Sequence, residues 1–271
     1  MTTIRVSDTW ERGSPYEYYV GRWSRQVAPT FLAWLDLPAR LRWLDVGCGT
    51  GALSAAIIDR CAPASVTGVE PSAGFLATAA VNLAGRAVLH PGDACALPLA
   101  DGAVDVAVSG LVLNFIPDLP AALAEIARVT ADGGTVAAYV WDYAGRMDLM
   151  RHFWAAAAEL DAQAAALDEG VRFPLCRPEA LRSRFATAGF ARIEVTALDI
   201  PTRFAGFEDY WQPFLGGQGP APAYAMSLEA GARERLREAL RSRLAVAADG
   251  SIALTARAWA VRAMVVKGRA S

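Results

Sequence analysis

Short apolar runs alternate with segments of helical periodicity between residues 41 and 140, a pattern typical of βαβ units around a parallel sheet. The apolar runs predict five strands, at 42–46, 65–70, 87–90, 104–109 and 135–141. The periodic segments predict helices at 52–61, 72–83 and 120–130. Pro120 suits a first helical turn, and Gly133-Gly134 is interpreted as a stop after the last of these helices.

The alternation breaks after Trp141. Two further helices are predicted at 152–167 and 177–188, and alternating strands at 191–198 and 255–266. The long segment 201–251 between those strands contains an aromatic group at 207–211 (FEDYW), a glycine-rich loop at 216–220 and an amphipathic helix at 228–244. We therefore divide the chain into an N-terminal helical arm (1–40), a sheet-forming core (41–142) and a region (143–271) that holds cap insertions at 143–176 and 201–251 and the closing strands.

The composition indicates a globular, enzyme-like chain, because 54% of the residues are hydrophobic and 20% are charged. Its 26 Lys and Arg against 28 Asp and Glu give a formal charge of −2, so no basic excess is available for nucleic acid, and we expect no such partner. Neither a signal pattern nor an apolar run of about 18 residues is present. We expect a cytoplasmic protein with no membrane partner; the sequence leaves the oligomeric state unknown.

The cysteines and histidines do not form a metal-binding pattern. The four cysteines lack C-x-x-C spacing, and only His90 and His152 could join them as ligands. We expect reduced thiols and no bound metal.

A glycine-rich segment at 44–51 (LDVGCGTG) lies where the first predicted strand passes into a helix. Glycines at 47, 49 and 51 let a ligand approach the backbone at a helix N-terminus, but with Ala52 the turn also fits the dinucleotide fingerprint. Glu70 ends the second strand, where a carboxylate can accept hydrogen bonds from ribose hydroxyls. NAD enzymes and enzymes that bind an adenosyl cofactor share this feature. Asp93-Ala94 after the third strand adds a carboxylate and a backbone amide at the height of an adenine edge. Nucleotide binding is thus predicted.

Five segments in this order resemble the successive motifs of class I S-adenosylmethionine-dependent methyltransferases of the ubiquinone/menaquinone type: 44–51, 69–72, 92–99, 104–106, and 125–129 with the glycine pair at 133–134. The resemblance covers roughly residues 40 to 140. It implies an α/β fold with a Rossmann-like, doubly wound, seven-stranded sheet, an antiparallel last strand and a helical cap formed by the insertions. It also implies S-adenosylmethionine as cofactor and methyl transfer to an O, N or C nucleophile of a small-molecule acceptor.

The same resemblance assigns the residues around the glycine turn. Gly47, Cys48 and Gly49 would line the methionine part of the cofactor, and Glu70 would hold the ribose. As the carboxylate stands at a strand end, we expect its removal to cost affinity and to leave stability nearly unchanged.

Further residues are assigned in the same way. Asp93 would accept from the adenine amino group, and Ala94 would donate its backbone N–H to a ring nitrogen. Ser109 would lie below the sulfonium, and Asp45 would hydrogen-bond the turn or a water near the cofactor's amino group. Arg22, in the arm, is a candidate for the cofactor's carboxylate; a structural or solvated cation is the alternative.

The chain departs from many relatives by having Asn114 where they have histidine, so no catalytic base is assigned. SGLV at 109–112 replaces the Asn/Asp-Pro-Pro-aromatic box of enzymes that methylate amino groups of nucleic acids, which favours a small molecule. We expect a neutral or apolar acceptor between the sheet edge and the cap. Candidate contacts are His152 and Trp211, each of which could instead be a packing or solvent-facing residue.

Two other functions would use part of the same sequence pattern. A non-catalytic protein that binds the adenosyl cofactor would carry the same motifs. An NAD(P)-dependent reductase would need a Tyr/Lys-type pair, and the only lysine is Lys267, near the end of the sequence.

Overall fold

The structure, a computed structural model, describes residues 21–216 and 219–267. Its centre is a seven-stranded sheet in the order β3-β2-β1-β4-β5-β7-β6. Neighbouring strands from β1 to β5 are parallel, and the last strands are antiparallel, so the predicted fold class is confirmed. The strands are β1 (Arg42–Val46), β2 (Ser65–Glu70), β3 (Val88–Pro91), β4 (Val104–Gly110), β5 (Thr130–Trp141), β6 (Ala191–Phe204) and β7 (Ile252–Met264).

Ten α-helices are defined in the described residues. They are α1 (Arg22–Leu35), α2 (Ala52–Arg60), α3 (Ala73–Leu83), α4 (Leu119–Val129), α5 (Asp148–Leu160), α6 (Glu169–Arg172), α7 (Pro178–Thr187), α8 (Phe207–Trp211), α9 (Pro220–Ser227) and α10 (Ala230–Arg243). None of the helices in the described ranges is long and apolar enough to cross a membrane.

The register of the central strands determines where the site can form. Val46 pairs with Val69, and Asp45 pairs with Val108, so β1, β2 and β4 end at the same edge of the sheet. Side-chain caps begin the two helices that follow β2 and β4: Ser72 accepts from the Phe75 amide at 3.3 Å and Asp118 from the Ala121 amide at 3.0 Å. The chain therefore turns sharply at each strand end, and the connecting turns gather at one edge.

The glycine pair was expected to follow α4 as a stop, and this prediction is wrong. The helix ends at Val129, and β5 begins at the next residue, Thr130, so that Gly133 and Gly134 lie within the strand. Thr130 pairs with Val104 and Thr135 with Val106, which leaves an irregularity at 131–134. A Cβ on Gly134 would lie 2.8 Å from the Asp105 carbonyl oxygen, so glycine is needed where the bulge passes the neighbouring strand.

Two other predicted boundaries differ from the structure. The helix predicted over 152–167 starts earlier, as α5, and ends at Leu160, where the Asp161 side chain accepts from the Gln163 amide at 2.9 Å and begins a 3₁₀ turn. Strand β6 continues past 198 to Phe204, because alternate side chains (Ile200, Thr202 and Phe204) remain buried.

Internal contacts divide the chain into two compact units. Among the described residues, the core unit comprises 24–140, 177–198 and 258–267, and the helical unit comprises 21–23, 141–176, 199–216 and 219–257. The boundaries of the arm, core and cap drawn from the sequence stay a prediction, and the first twenty residues of the arm lie outside the described residues.

Aromatic side chains form the interior of the helical unit. Phe153 stacks on Phe214 with ring centroids 4.4 Å apart and meets Trp154 edge-on at 5.1 Å. The buried Tyr210 hydroxyl donates to the Leu149 carbonyl oxygen at 2.8 Å, which gives its one polar group a partner. This packing orders the segments 148–160 and 207–216 as a unit with its own core.

Candidate active site

The glycine turn connects β1 to α2 in the core unit. Gly47, Gly49 and Gly51 all have positive φ values, of 71°, 54° and 87°. The amides of Gly47 and Cys48 both donate to the Val69 carbonyl oxygen, at 2.8 and 3.1 Å, which fastens the turn to β2. A Cβ on Gly47 would lie 2.6 Å from Cγ1 of Val112, so the turn also packs against the segment that follows β4.

Glu70 ties this turn to the end of β2. Its Oε2 accepts from the Gly49 amide at 3.1 Å, and its Oε1 accepts from the Ser72 amide at 3.0 Å. Only 7% of the residue is exposed, and burial raises the pKa of the carboxyl. Its removal would leave two backbone donors without their partner, which argues against a negligible effect on stability; the size of that effect stays a prediction.

Asp45 is buried at the end of β1. Its Oδ2 accepts from the Ser54 hydroxyl in α2 at 2.6 Å, while its Oδ1 is buried and has no hydrogen-bond partner among the described residues. Burial raises the pKa of this carboxyl to about 7. The role assigned to it near the cofactor's amino group stays a prediction.

Asp93 and Ala94 follow β3, the edge strand next to β2. Oδ1 of Asp93 accepts from the Cys95 amide at 2.8 Å, and the Ala96 amide donates to the Asp93 carbonyl oxygen at 3.1 Å. The side chain thus shapes a tight turn and remains exposed. Its contact with an adenine amino group, and that of the Ala94 amide with the ring, stay predictions.

The segment after β4 is constrained against both the glycine turn and β5. The buried Ser109 hydroxyl donates to the Val46 carbonyl oxygen at 2.9 Å, so it joins the ends of β4 and β1. Leu111 has a φ of 64°, an unfavourable value for a residue with a side chain, and its amide donates to the Tyr139 carbonyl oxygen at 2.8 Å. A 3₁₀ turn (Leu113–Phe115) follows, and its Asn114 has a buried Nδ2 without a partner among the described residues.

Comparison with known proteins identifies the family. A family model described as "Methyltransferase domain" matches residues 44–138, which span the glycine turn, Glu70, Asp93 and the segment after β4. A demethylmenaquinone methyltransferase of Desulfitobacterium hafniense is 32% identical over 187 residues, which cover 62% of this chain and 71% of that protein. The chain belongs to the class I S-adenosylmethionine-dependent methyltransferases. The family resemblance found in the motifs is confirmed.

Other relatives of this chain match over smaller fractions of their length. A malonyl-[acyl-carrier protein] O-methyltransferase of Geobacter sulfurreducens is 36% identical over 161 residues, 58% of each chain. The chain spans about half the length of the first curated relatives that it matches, with 44% and 58% of two of them covered. Among solved structures, the YcgJ protein of Bacillus subtilis has the same fold, with a TM-score of 0.59 and 14% identity over 90% of this chain and 99% of that one.

The other three predicted site residues, Arg22, His152 and Trp211, lie in the helical unit. Arg22 pairs with Asp209 at 3.0 Å and lies over the rings of Trp23 and Phe204, at 4.3 and 4.8 Å from their centroids. Arg22 thus has the contacts of a structural cation, which was the alternative to a cofactor contact in the sequence analysis. Its contact with a cofactor carboxylate stays a prediction.

His152 and Trp211 were the candidate acceptor contacts. His152 is half-buried on α5, and burial lowers its pKa. Trp211 is 3% exposed and packs against Phe214 with ring centroids 6.1 Å apart. Substrate contact for both stays a prediction, and residues 217–218 of the nearby glycine-rich loop lie outside the described residues.

Sequence reasoning missed Glu169 in the helical unit. It is 2% exposed, its Oε2 accepts from Nε1 of Trp154, and its Oε1 has no partner among the described residues. Burial raises the pKa of this carboxyl to about 7. The sequence DEG at 168–170 gives no local indication that Glu169 is buried, because its partner Trp154 is on another helix.

We expect any methyl transfer by this protein to survive chelation. Within the described ranges, no group of three or more His, Cys, Asp or Glu side chains could hold a metal ion. Burial raises the pKa of Cys48 and Cys176, so both are thiols at neutral pH. The rate measured with and without EDTA checks this, and a loss that is restored by a divalent cation would contradict it.

Proposed function

We propose that this protein transfers the methyl group of S-adenosylmethionine to a small-molecule acceptor, with the cofactor at the edge of the sheet where β1, β2 and β4 end. The observation that carries the proposal is the hydrogen bond from the Gly49 amide to Glu70, at 3.1 Å. It places a buried carboxylate beside a turn with little side-chain volume. This arrangement suits a cofactor whose ribose hydroxyls bond to a carboxylate and whose methionine part lies against the backbone of the turn.

The positions of the surrounding residues support a role for each. Gly47, Cys48 and Gly49 would face the methionine part, and Glu70 would accept from the ribose hydroxyls. The sulfonium carries the activated methyl group, so the protein chiefly has to hold donor and acceptor in line and to exclude water. Ser109 at the end of β4 supports the floor of this site through its bond to β1.

Asp93 and Ala94 would recognise the adenine from the end of the neighbouring strand, β3. The exposed Asp93 carboxylate retains Oδ2 for the amino group while Oδ1 holds its own turn. Malonyl-[acyl-carrier protein] and demethylmenaquinone methyltransferases are among the relatives, so the relatives' names indicate no single acceptor for this chain.

A reductase function is disfavoured by the position of the only lysine. Lys267 donates from Nζ to the Arg128 carbonyl oxygen at 2.8 Å, next to the start of β5. Because β5 is parallel to β4, its start is at the edge of the sheet opposite to the glycine turn. Lys267 therefore cannot serve a catalytic pair at this site.

Replacement of Glu70 tests the proposed cofactor site. We expect Glu70→Gln to weaken binding of S-adenosylhomocysteine by about 10- to 100-fold, which corresponds to the loss of hydrogen bonds to a charged acceptor. Glu70→Ala should also lower the free energy of unfolding by about 1–3 kcal/mol, because the Gly49 and Ser72 amides lose their partner. Calorimetric titration and chemical denaturation measure the two effects.

The control for this experiment is Asp59→Asn in α2, which alters an exposed pair with Arg86 and should change neither quantity appreciably. Unchanged affinity in Glu70→Gln would refute the ribose assignment. Cofactor binding without methyl transfer to any acceptor in a broad panel would favour the non-catalytic alternative.

A further inference from the structure

We propose that a groove in the helical unit binds a small organic anion, which has one negatively charged group on a flat apolar body. The groove has a volume of about 450 Å³, within the range of sites that take drug-sized molecules. We call it the α8–α10 groove. Its lining residues all belong to the helical unit and include Trp211, Leu215, Met226, Ala230, Arg233 and Arg237. None of the residues assigned to the cofactor lines it, so binding there is independent of the proposed function.

One face of α10 forms a wall of the α8–α10 groove. Ala230, Arg233 and Arg237 recur on this face at helical spacing. Another face of the same helix carries Leu236 and Leu240, which are fully buried. Because these leucines fix α10 against the interior of the helical unit, the groove exists before any ligand binds.

Arg233 brings an uncompensated positive charge to the groove. It has no carboxylate within ion-pair distance in the part of the chain that the structure describes, and its Nη1 donates to Sδ of Met226 at 3.4 Å. A thioether is a weak acceptor. Arg237 differs, because it pairs with both carboxylates that line the groove, Glu208 and Glu234. The charge that remains in the groove is therefore the guanidinium of Arg233.

This guanidinium suits a single anionic group. Its planar N–H donors match the oxygens of a sulfonate, phosphate or carboxylate, and the contact with Met226 leaves other donors for a ligand. Arg233 is half-buried, so an ion pair here is screened less by water than one on the open surface. A cation in the same place would be repelled.

Apolar side chains beside Arg233 determine the rest of the ligand. Met226 is 45% exposed, and Leu215 and Trp211 border the same groove. A thioether and an indole ring both make favourable contacts with aromatic rings, so we infer a flat apolar body that covers Met226. Trp211 was a candidate contact of the methyl acceptor, and the groove gives it a ligand contact that requires no methylation.

Methyl NMR of the methionines tests the contact directly. The chain has five methionines, and loss of one signal in Met226→Leu assigns the methyl group of Met226. Titration of the wild type with sodium naphthalene-2-sulfonate should shift this signal through the ring current. The signals of Met147 and Met150, which are buried elsewhere in the helical unit, should not move. An unshifted Met226 signal, or equal shifts of all three, would overturn the inference.

Two probes with the same ring test the role of charge. Naphthalene-2-sulfonamide is neutral and 2-naphthylmethylamine is a cation at neutral pH. We expect both to bind at least about tenfold more weakly than the sulfonate, because neither forms an ion pair with Arg233. Equal affinity of the sulfonate and either of these probes would contradict the proposal.

Variants of α10 test the position of the site. Arg233→Gln should weaken binding of naphthalene-2-sulfonate by about 10- to 100-fold. Arg235→Gln changes the net charge equally at an exposed position of the same helix that does not line the groove, and should change affinity by less than about twofold. Ala230→Phe places a ring in the groove from an exposed position and should abolish binding. Equal effects of the two arginine variants, or undiminished binding by Ala230→Phe with an unchanged circular dichroism spectrum, would refute the assignment.

Discussion

Gly47→Ala is expected to destabilise the core unit by about 3 kcal/mol. Two costs add: the φ of 71° is unfavourable by about 1–2 kcal/mol for a residue with a Cβ, and that Cβ would overlap Val112, where overpacking costs about 1–3 kcal/mol. Chemical denaturation measures the loss. We expect affinity for S-adenosylhomocysteine to fall as well, because the turn must move away from Val112.

Gly49→Ala is the matched control, because Gly49 also has a positive φ, of 54°, but a Cβ there has nothing within 4 Å. It should cost only the conformational part, about 1–2 kcal/mol. The double variant Gly47→Ala/Val112→Ala should recover part of the loss relative to Gly47→Ala alone. Equal effects of the two single alanine variants would mean that packing against Val112 does not determine the shape of the turn.

The helical unit should become less stable as the pH rises, on account of Glu169. Burial raises the pKa of this carboxyl from 4.5 to about 7 in the folded state. Its stabilising contribution is therefore fully present below pH 4.5 and is lost as the pH rises through 7. This difference in pKa between the folded and unfolded states lowers the free energy of unfolding by about 3 kcal/mol from pH 4 to pH 8, at about 1.4 kcal/mol per pKa unit.

Glu169→Gln reproduces the uncharged form and can still accept from Trp154. We expect it to match the wild type near pH 4 and to be more stable than the wild type by about 3 kcal/mol at pH 8. The free energy of unfolding measured across this range gives the comparison. Asp45, also buried with a raised pKa, is present in both proteins and cancels in the difference.

Glu159→Gln provides the control on the same unit. Glu159 has a side chain 65% exposed and pairs with Arg243, so its neutralisation should change stability by less than about 1 kcal/mol over the same pH range. A constant difference between Glu169→Gln and the wild type at every pH would contradict the prediction.

The central strands could be predicted from the sequence because their signals are local. Strands β1 and β2 have the predicted bounds, and Glu70 lies at the strand end where the motif order placed it. The start of β5 could not be predicted in the same way. Adjacent glycines after a helix usually mark its end, and only the neighbouring β4 shows that this pair fills a bulge within a strand.

Contacts between distant parts of the chain were beyond sequence reasoning. The pair of Arg22 with Asp209 joins residues 187 positions apart, and no periodicity links the two. The burial of Glu169 depends on the same kind of contact with Trp154. In the candidate site, sequence motifs predicted which residues would face a ligand, whereas the unpaired Nδ2 of Asn114 becomes visible only when its neighbours are placed.

The bond between Lys267 and the Arg128 carbonyl oxygen has a practical consequence. Because the chain has one lysine, an amine-reactive dye placed on a lysine side chain can go to only that position. The residue is exposed, and its backbone amide is held by Asp132 at 2.9 Å, so the attached dye would report from a defined point. That point is at the edge of the sheet away from the glycine turn. Fluorescence anisotropy with this label could follow association of the protein with other molecules while the proposed cofactor site stays unmodified.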